Sequence, residues 1–239
     1  MGQREVDRFL RDRLSSDLHR LTGGLAGERD PAQPLLTYLG GSARVELSAT
    51  TTANWVAKTA NLLHDGYAGP DRVGLLLPLH WQTVCLLLGG VAAGATVVVA
   101  RSPDELAGCP VAFVSVVHGE GALDAGVEDV LVCSMTPWAT RAAELPPMVL
   151  DAAAELPGYG DHYSGQGGGD IELARAAFVA EPLALDNTDR VLTSLDPGSP
   201  AGLSAIVGTL AAGAALVLLA SGDRQAAMTS EGVTAWFDE

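Results

Sequence analysis

The chain has 239 residues, of which 48% are hydrophobic and only 5% aromatic, which provides for a sizeable core built from Ala, Leu and Val. That length accommodates one large or two small domains, at roughly 100–200 residues each. Its 29 acidic residues against 14 basic ones give a formal net charge of −15. Such a surface repels phosphate backbones and anionic lipid, and argues against nucleic-acid and membrane partners.

Glu5 to Leu21 places Val6, Phe9, Leu10, Leu14, Leu18 and Leu21 on one face and Arg and Asp on the other. This predicts an amphipathic surface helix ending at Gly23-Gly24. The charged start (Arg4, Glu5, Asp7, Arg8) is unlike a signal peptide, and Val6 stands where myristoylation requires Ser or Thr. Pro31 to Pro34 reads as a linker. Leu35 to Leu39, Gly40-Gly41 and Ala43 to Leu47 predict a β-hairpin, because paired glycines supply the positive φ of a tight turn. Ser48 is placed to cap a helix running to about His64, with Trp55, Val56, Ala60, Leu62 and Leu63 buried and Gly66 as its stop.

Asp71-Arg72-Val73 opens an apolar run through Leu77 that breaks at Pro78. Trp81, Val84, Cys85, Leu88, Val91 and Ala92 then recur at helical spacing. Gly94 is positioned to end that helix in the left-handed turn, and Ala95 to Ala100 reads as a Val-rich strand buried on both faces. The same order returns later: Asp189-Arg190-Val191, an apolar run to Leu195, Pro197, a helix from Ser199, Gly213, and a strand from Ala214 to Ala220. Both copies begin D-R-V and close with A-A-G-A. Ala201 to Gly222 carries no charge and is long enough for a membrane span, and Gly90 and Gly94 form a G-x-x-x-G pair. Pro78, His80 and Gln82 inside the first run, and the division of both runs at Gly94 and Gly213, favour a globular reading.

Between the copies, Pro110 to Val117, Val130 to Cys133 and Met148-Val149-Leu150 predict further strands. Leu156 to Asp170 is rich in breakers. Asp170 is placed to cap a helix through about Pro182 that aligns Ile171, Ala174, Phe178 and Val179. Glu231 to Glu239 reads as a short tail anchored by Val233 and Trp236. Alternating strands and helices imply an α/β fold with a mostly parallel sheet built on two related strand–helix–strand units. The expected division is a first subdomain over residues 1–133, a Gly-rich connector over 134–170 and a second subdomain over 171–239. Cys85, Cys109 and Cys133 lie in or beside apolar segments without a C-x-x-C pair, the usage of a reduced, cytosolic core.

No metal site follows from the five scattered histidines. Asp161-His162 reads as a polar loop pair, and Ser199 as a helix cap rather than a nucleophile. Asp196 lies at a strand's C-terminal edge, where α/β folds place ligands, yet beside Pro197 it also suits a turn. The cluster Ser164-Gly165-Gln166-Gly167-Gly168-Gly169-Asp170 resembles backbone that cradles phosphate. Asp170 brings negative charge to that spot, and no lysine is near in sequence, since Lys58 is the chain's only one. A flexible, exposed connector is therefore expected. The candidate binding residues are His80, Asp196, Ser164, Gly165 and Gly167; no catalytic residue is assigned.

Leu36-Thr37-Tyr38, the Gly40-Gly41 turn, the helix with Trp55 and Leu62, D-R-V-G-L-L-L-P and A-A-G-A-T-V-V-V resemble the N-terminal region of adenylate-forming enzymes, the acyl-CoA synthetases and AMP-binding ligases. Arg190 to Ser194 through Leu210 to Ala214 is similar to their second subdomain. The resemblance covers about residues 31–100 and 189–220. It implies that fold, and ATP, AMP, CoA or an acyl group as ligand; the residues themselves predict no cofactor. It also implies a Thr/Ser/Gly-rich phosphate loop ending in Pro-Lys-Gly, where this chain has only S-G-Q-G-G-G-D, and a histidine-containing strand exit, where Asp196-Pro197-Gly198 stands. The family's later nucleotide motifs and lysine-bearing C-terminal domain would lie beyond Glu239. Lys58, on an early helix far from any glycine loop in the sequence, is not expected to replace either family lysine. The expectation is a degenerate, non-adenylating homologue that binds a small nucleotide or acyl ligand or serves regulation. The alternatives are an interaction module, as a homo-oligomer, a subunit of a complex or part of a split ligase, and an enzyme with other chemistry near Pro78, His80 and Asp196.

Overall fold

The computed structural model describes residues 30–165, 168–173 and 185–237. The helix expected over Glu5–Leu21 lies outside them. In chain order the strands and helices are β1 (Pro34–Gly40), β2 (Ala43–Ser48), α1 (Ala49–Asn61), β3 (Arg72–Leu76), α2 (Trp81–Ala92), β4 (Thr96–Val99), β5 (Val111–Ser115), α3 (Gly119–Asp124), β6 (Asp129–Cys133), β7 (Leu150–Asp151), α4 (Ala152–Glu155), β8 (Asp170–Leu173), β9 (Arg190–Thr193), α5 (Pro200–Ala211), β10 (Ala215–Leu219), α6 (Arg224–Ser230) and β11 (Ala235–Phe237).

They fall into two units, one of residues 1–52 and 175–239 and the other of residues 53–174. The first holds a sheet in the order β11-β9-β10-β1-β2, and the second a sheet in the order β7-β6-β5-β3-β4-β8. The expected cuts at 133 and 170 followed chain order, whereas the sheets do not. The hairpin β1–β2 pairs with the late strand β10, Leu36 opposite Leu216. β7, from the expected connector, and β8, which begins at the connector's last residue, close the two edges of the second unit's sheet. A hairpin that buries one apolar face takes whichever sheet offers the complementary edge, and sequence distance does not decide that.

The second unit's sheet is parallel throughout. One face carries Leu76, Ala112, Val114, Val130 and Val132, packed with Leu106, Ala122 and Val127. In the first unit Leu192, Val217, Leu219 and Ala227 form a core cluster with Leu39, Met228 and Val233 against it. Helix α2 is buried from Trp81 to Val91, as its all-round apolar sequence requires. Its glycines permit close packing: a Cβ on Gly89 would stand 2.4 Å from Thr59 Cβ, and one on Gly90 2.5 Å from a Val97 methyl. No helix among the described residues is long and apolar enough to cross a membrane.

The two repeats are built alike. Thr96 N–H donates to the Asp71 carbonyl in one, and Ala215 N–H to the Asp189 carbonyl in the other. Both helices have 12 residues. Each ends in the same pair of hydrogen bonds, Gly94 to Val91 with Ala95 to Gly90, and Gly213 to Leu210 with Ala214 to Thr209. Gly94 and Gly213 supply the required positive φ, 91° and 76°. Counting back from the helix starts aligns Pro78 with Pro197 and His80 with Ser199, so the second copy carries one extra residue between its D-R-V start and its helix.

Three local expectations are corrected. Asp170 does not cap a helix: Asp170–Leu173 is a strand parallel to β4, and the Asp170 side chain accepts from its neighbour Ile171 N–H. The remainder of that expected helix lies outside the described residues. Met148 to Leu150 is not a strand throughout, because Pro146 and Pro147 precede a left-handed Met148 (φ 68°) and only Leu150–Asp151 pairs with β6. Trp236 does not anchor the tail by burial. It is 45% exposed beneath the Arg224 guanidinium, and β11 is held by pairing with β9.

Candidate functional site

In an open parallel sheet, ligands sit outside the C-terminal strand ends where successive connections leave in opposite directions. In the second unit that point lies between β3, whose connection leads to β4 on one side, and β5, whose connection leads to β6 on the other. The β3 exit carries Pro78 to His80. In the first unit the exit of β9, whose neighbours are β10 and β11, carries Asp196. The two candidates thus each follow the C-terminal end of a strand, one in each sheet.

His80 is the N-cap of α2: it is 1% exposed, and its Nδ1 accepts from Gln82 N–H at 3.1 Å. Burial lowers its pKa to about 4, opposed by a hydrogen bond with the Thr136 backbone, so the ring is neutral. Trp81 donates its indole N–H to the Pro137 carbonyl at 2.9 Å and packs edge-on against Trp55. Together they latch the loop after β6 onto the start of α2. That loop is interlocked through its hydroxyls: Ser134 donates to the Thr140 carbonyl, and Thr136 lies 2.9 Å from the Thr140 hydroxyl. Met135 and Ala139 adopt left-handed conformations there. The sequence reading missed this loop, although its Ser, Thr and Pro content after an apolar strand was the available signal. Gln82 is 3% exposed, and its side-chain carbonyl has no hydrogen-bond partner among the described residues.

Asp196 is exposed and built into a turn. Its Oδ1 accepts from Gly198 N–H, and its carbonyl accepts from both the backbone and hydroxyl of Ser199. Ser199 in turn caps α5 through Gly202 N–H. Gly202 is required there, since a Cβ would fall 2.0 Å from the Asp196 carbonyl oxygen.

The glycine cluster is less free than its composition suggests. Ser164, Gly165 and Gly168 are exposed, while Gln166 and Gly167 lie outside the described residues. Gly169 is docked: its N–H donates to Val91 O at 3.1 Å, Asp170 N–H donates to Ala95 O at 3.2 Å, and a Cβ on Gly169 would meet the Ala95 oxygen at 2.3 Å. Upstream, Lys58 donates to the Tyr159 carbonyl at 2.6 Å and pairs with Asp161 at 2.8 Å. Asn61 donates to the carbonyls of Gly160 and His162. Lys58 therefore stands against the strap leading into the cluster, contrary to the separation expected from sequence. Two of its three donors are engaged on that strap. Among the described residues no group of three or more His, Cys, Asp and Glu side chains is arranged to hold a metal.

This architecture is the fold of the N-terminal part of the acyl-CoA synthetases. The chain matches an acyl-CoA synthetase of Brucella canis with a TM-score of 0.72 at 17% identity, over 91% of this chain and 46% of that one. It matches the inhibitor-bound N-terminal domain of FACL13 from Mycobacterium tuberculosis with a TM-score of 0.67 at 16% identity, over 93% and 62%. An anthranilate CoA ligase in complex with anthranoyl-AMP gives 0.70 at 14% identity, over 93% and 49%. The chain thus spans about half the length of these solved chains, and at such identity the likeness concerns fold. No family model matches the sequence. The "TIGR03089 family protein" of Mycobacterium tuberculosis (strain ATCC 25618 / H37Rv) is 37% identical over 208 residues, 81% of this chain and 86% of that protein. The chain belongs to the TIGR03089 family.

Proposed function

We propose that this protein is a non-adenylating relative of the acyl-CoA synthetases that binds a small nucleotide or acyl ligand at the second unit's switch point. The observation that carries the reading is the state of the glycine cluster's exit. Attack on a phosphoryl centre builds charge that preorganised amides and cations must meet. Here the Gly169 and Asp170 amides donate to Val91 and Ala95, and Lys58 donates to Tyr159 and Asp161. Asp170 adds a negative charge at the same place. Losing one such donor costs about 10²–10³ in rate, and here several are otherwise engaged. The buried Gln82 carbonyl beside the His80 cap supports ligand binding, because an unmet acceptor in the interior gains a partner when a ligand donates to it.

The test is pyrophosphate exchange with Mg²⁺, ATP and short, medium and aromatic carboxylic acids, run alongside thermal shift with ATP, AMP, CoA and acyl-CoAs. The expected result is exchange no higher than a buffer control, with a rise in Tm for at least one ligand. A ligand at 100 times its Kd stabilises by about 2.7 kcal/mol. Exchange above the control that disappears in His80→Ala would overturn the reading.

A further inference from the structure

Among the described residues, five of the six exposed large hydrophobic side chains fall between positions 117 and 150 of the second unit: Val117, Trp138, Leu145, Met148 and Leu150. Val117 and Met148 are 83% and 87% exposed. They lie on neighbouring pieces of chain, because Gly119, at the start of α3, leaves room for residues 146–149. A Cβ placed on it would be 3.3 Å from Pro146 Cγ and 3.7 Å from a Val149 methyl.

This ridge is built rather than loose. Pro146 and Pro147 hold their own φ angles, and Val149 packs onto the core behind them. The Asp151 carboxylate accepts from Ala142 N–H with one oxygen and from Ala153 N–H with the other, tying both flanks. Met148 holds a left-handed conformation that costs a non-glycine residue of order 1–3 kcal/mol. A rigid, solvent-facing apolar ridge has already met the ordering cost that binding otherwise adds.

Charge selects the occupant. Residues 116–151 carry six carboxylates (Glu120, Asp124, Glu128, Asp129, Glu144, Asp151) against one Arg or Lys, Arg141. Glu120 and Glu144 are exposed and adjoin Gly119 and Leu145, at the borders of the ridge. Nucleic acid and anionic lipid are repelled. A second copy docking the same patch would bring a second set of carboxylates, Glu120 and Glu144 among them, to the same interface, and like charges across an interface cost several kcal/mol. We propose that Val117, Pro146 and Met148 form a docking surface for a protein segment with apolar anchors flanked by arginine or lysine.

Three labelled 15-residue peptides test it by fluorescence anisotropy: one with four leucines on one helical face and arginines flanking them, the same with glutamates, and a scrambled arginine version. The arginine peptide is expected to bind at least about tenfold tighter than the other two, a difference of about 1.4 kcal/mol. The double variant Val117→Ser/Met148→Ser should weaken it about tenfold or more without changing Tm. Glu120→Gln/Glu144→Gln should lessen its salt dependence. Equal binding of the arginine and glutamate peptides, no binding, or indifference to Val117→Ser/Met148→Ser would overturn the proposal. So would a wild-type dimer in sedimentation equilibrium that this double variant dissociates, which would assign the ridge to a second copy.

Discussion

His80 and Lys58 show how much one buried polar side chain settles. A histidine held neutral by burial has a folded pKa below its unfolded value, so the unfolded chain binds more protons between the two. The stability it contributes is then present above about pH 6.5 and is lost as pH falls toward its folded value of about 4. His80→Asn retains a cap acceptor and removes the titration. It is expected to flatten the pH dependence of unfolding between those limits by up to about 1.4 kcal/mol per pH unit, measured by urea denaturation. For Lys58, the Tyr159 carbonyl and the Asp161 carboxylate are competing explanations of its role. Asp161 is 58% exposed, so its pairing is screened and contributes about 0–1 kcal/mol. The bond from a charged ammonium to a carbonyl is worth about 1.5–3 kcal/mol. Lys58→Met should therefore destabilise by about 1–2 kcal/mol and raise hydrogen exchange over residues 156–165, while Asp161→Asn should stay within about 0.5 kcal/mol.

At the scale of elements, the glycines at the helix ends and at the β8 entrance differ in what holds them. Gly94 and Gly213 need a positive φ, and a Cβ on Gly213 would meet only Asn187, at ordinary contact distance. Alanine at either should cost about 1–2 kcal/mol, and by similar amounts if the repeats are as alike as their caps. Gly169 is constrained by backbone oxygens that cannot step aside. Gly169→Ala should instead detach β8 from β4, seen as lost exchange protection at Asp170 to Glu172, with a larger fall in Tm than Gly168→Ala. The paired D-R-V and A-A-G-A ends made both repeats legible in the sequence, because proline, cap and glycine signals act within a few residues. The β8 strand was not legible. Four residues of mixed polarity become a strand only when an edge such as β4 is there to receive them.

Across the whole molecule, Glu231 belongs to a clamp that composition gives no hint of. Its side chain is 5% exposed and accepts from Arg44 and Arg190, residues from distant parts of the sequence. Arg190 also donates to the buried Thr37 hydroxyl. The hydrogen bond from Arg44, with that from Arg190, holds the Glu231 carboxyl below the usual carboxylate range. The stability it contributes is thus present above about pH 4.3 and is lost as pH falls through its depressed folded value. Arg44 meets the carboxylate with two N–H groups and Arg190 with one, the Arg190 side chain being the less exposed of the two. Glu231→Gln should cost about 2 kcal/mol at neutral pH and weaken exchange protection in β1, β9 and β10 first.

What the sequence by itself determined is whatever short-range chemistry dictates: the hairpin at Gly40-Gly41, the caps at Ser48 and Ser199, the parallel α/β class, and the two strand–helix–strand units. Those signals lie within a turn or two of the residues they govern, and period and cap chemistry read them directly. Only the tertiary structure decided that the hairpin joins β10, that His80 is a buried helix cap, that Lys58 is tied to the strap before the glycines, and that Gly169 is docked. Each depends on partners between 2 and 180 residues away. Whether a donor is free for a ligand or already spent on the chain is a property of packing, and sequence spacing does not encode it.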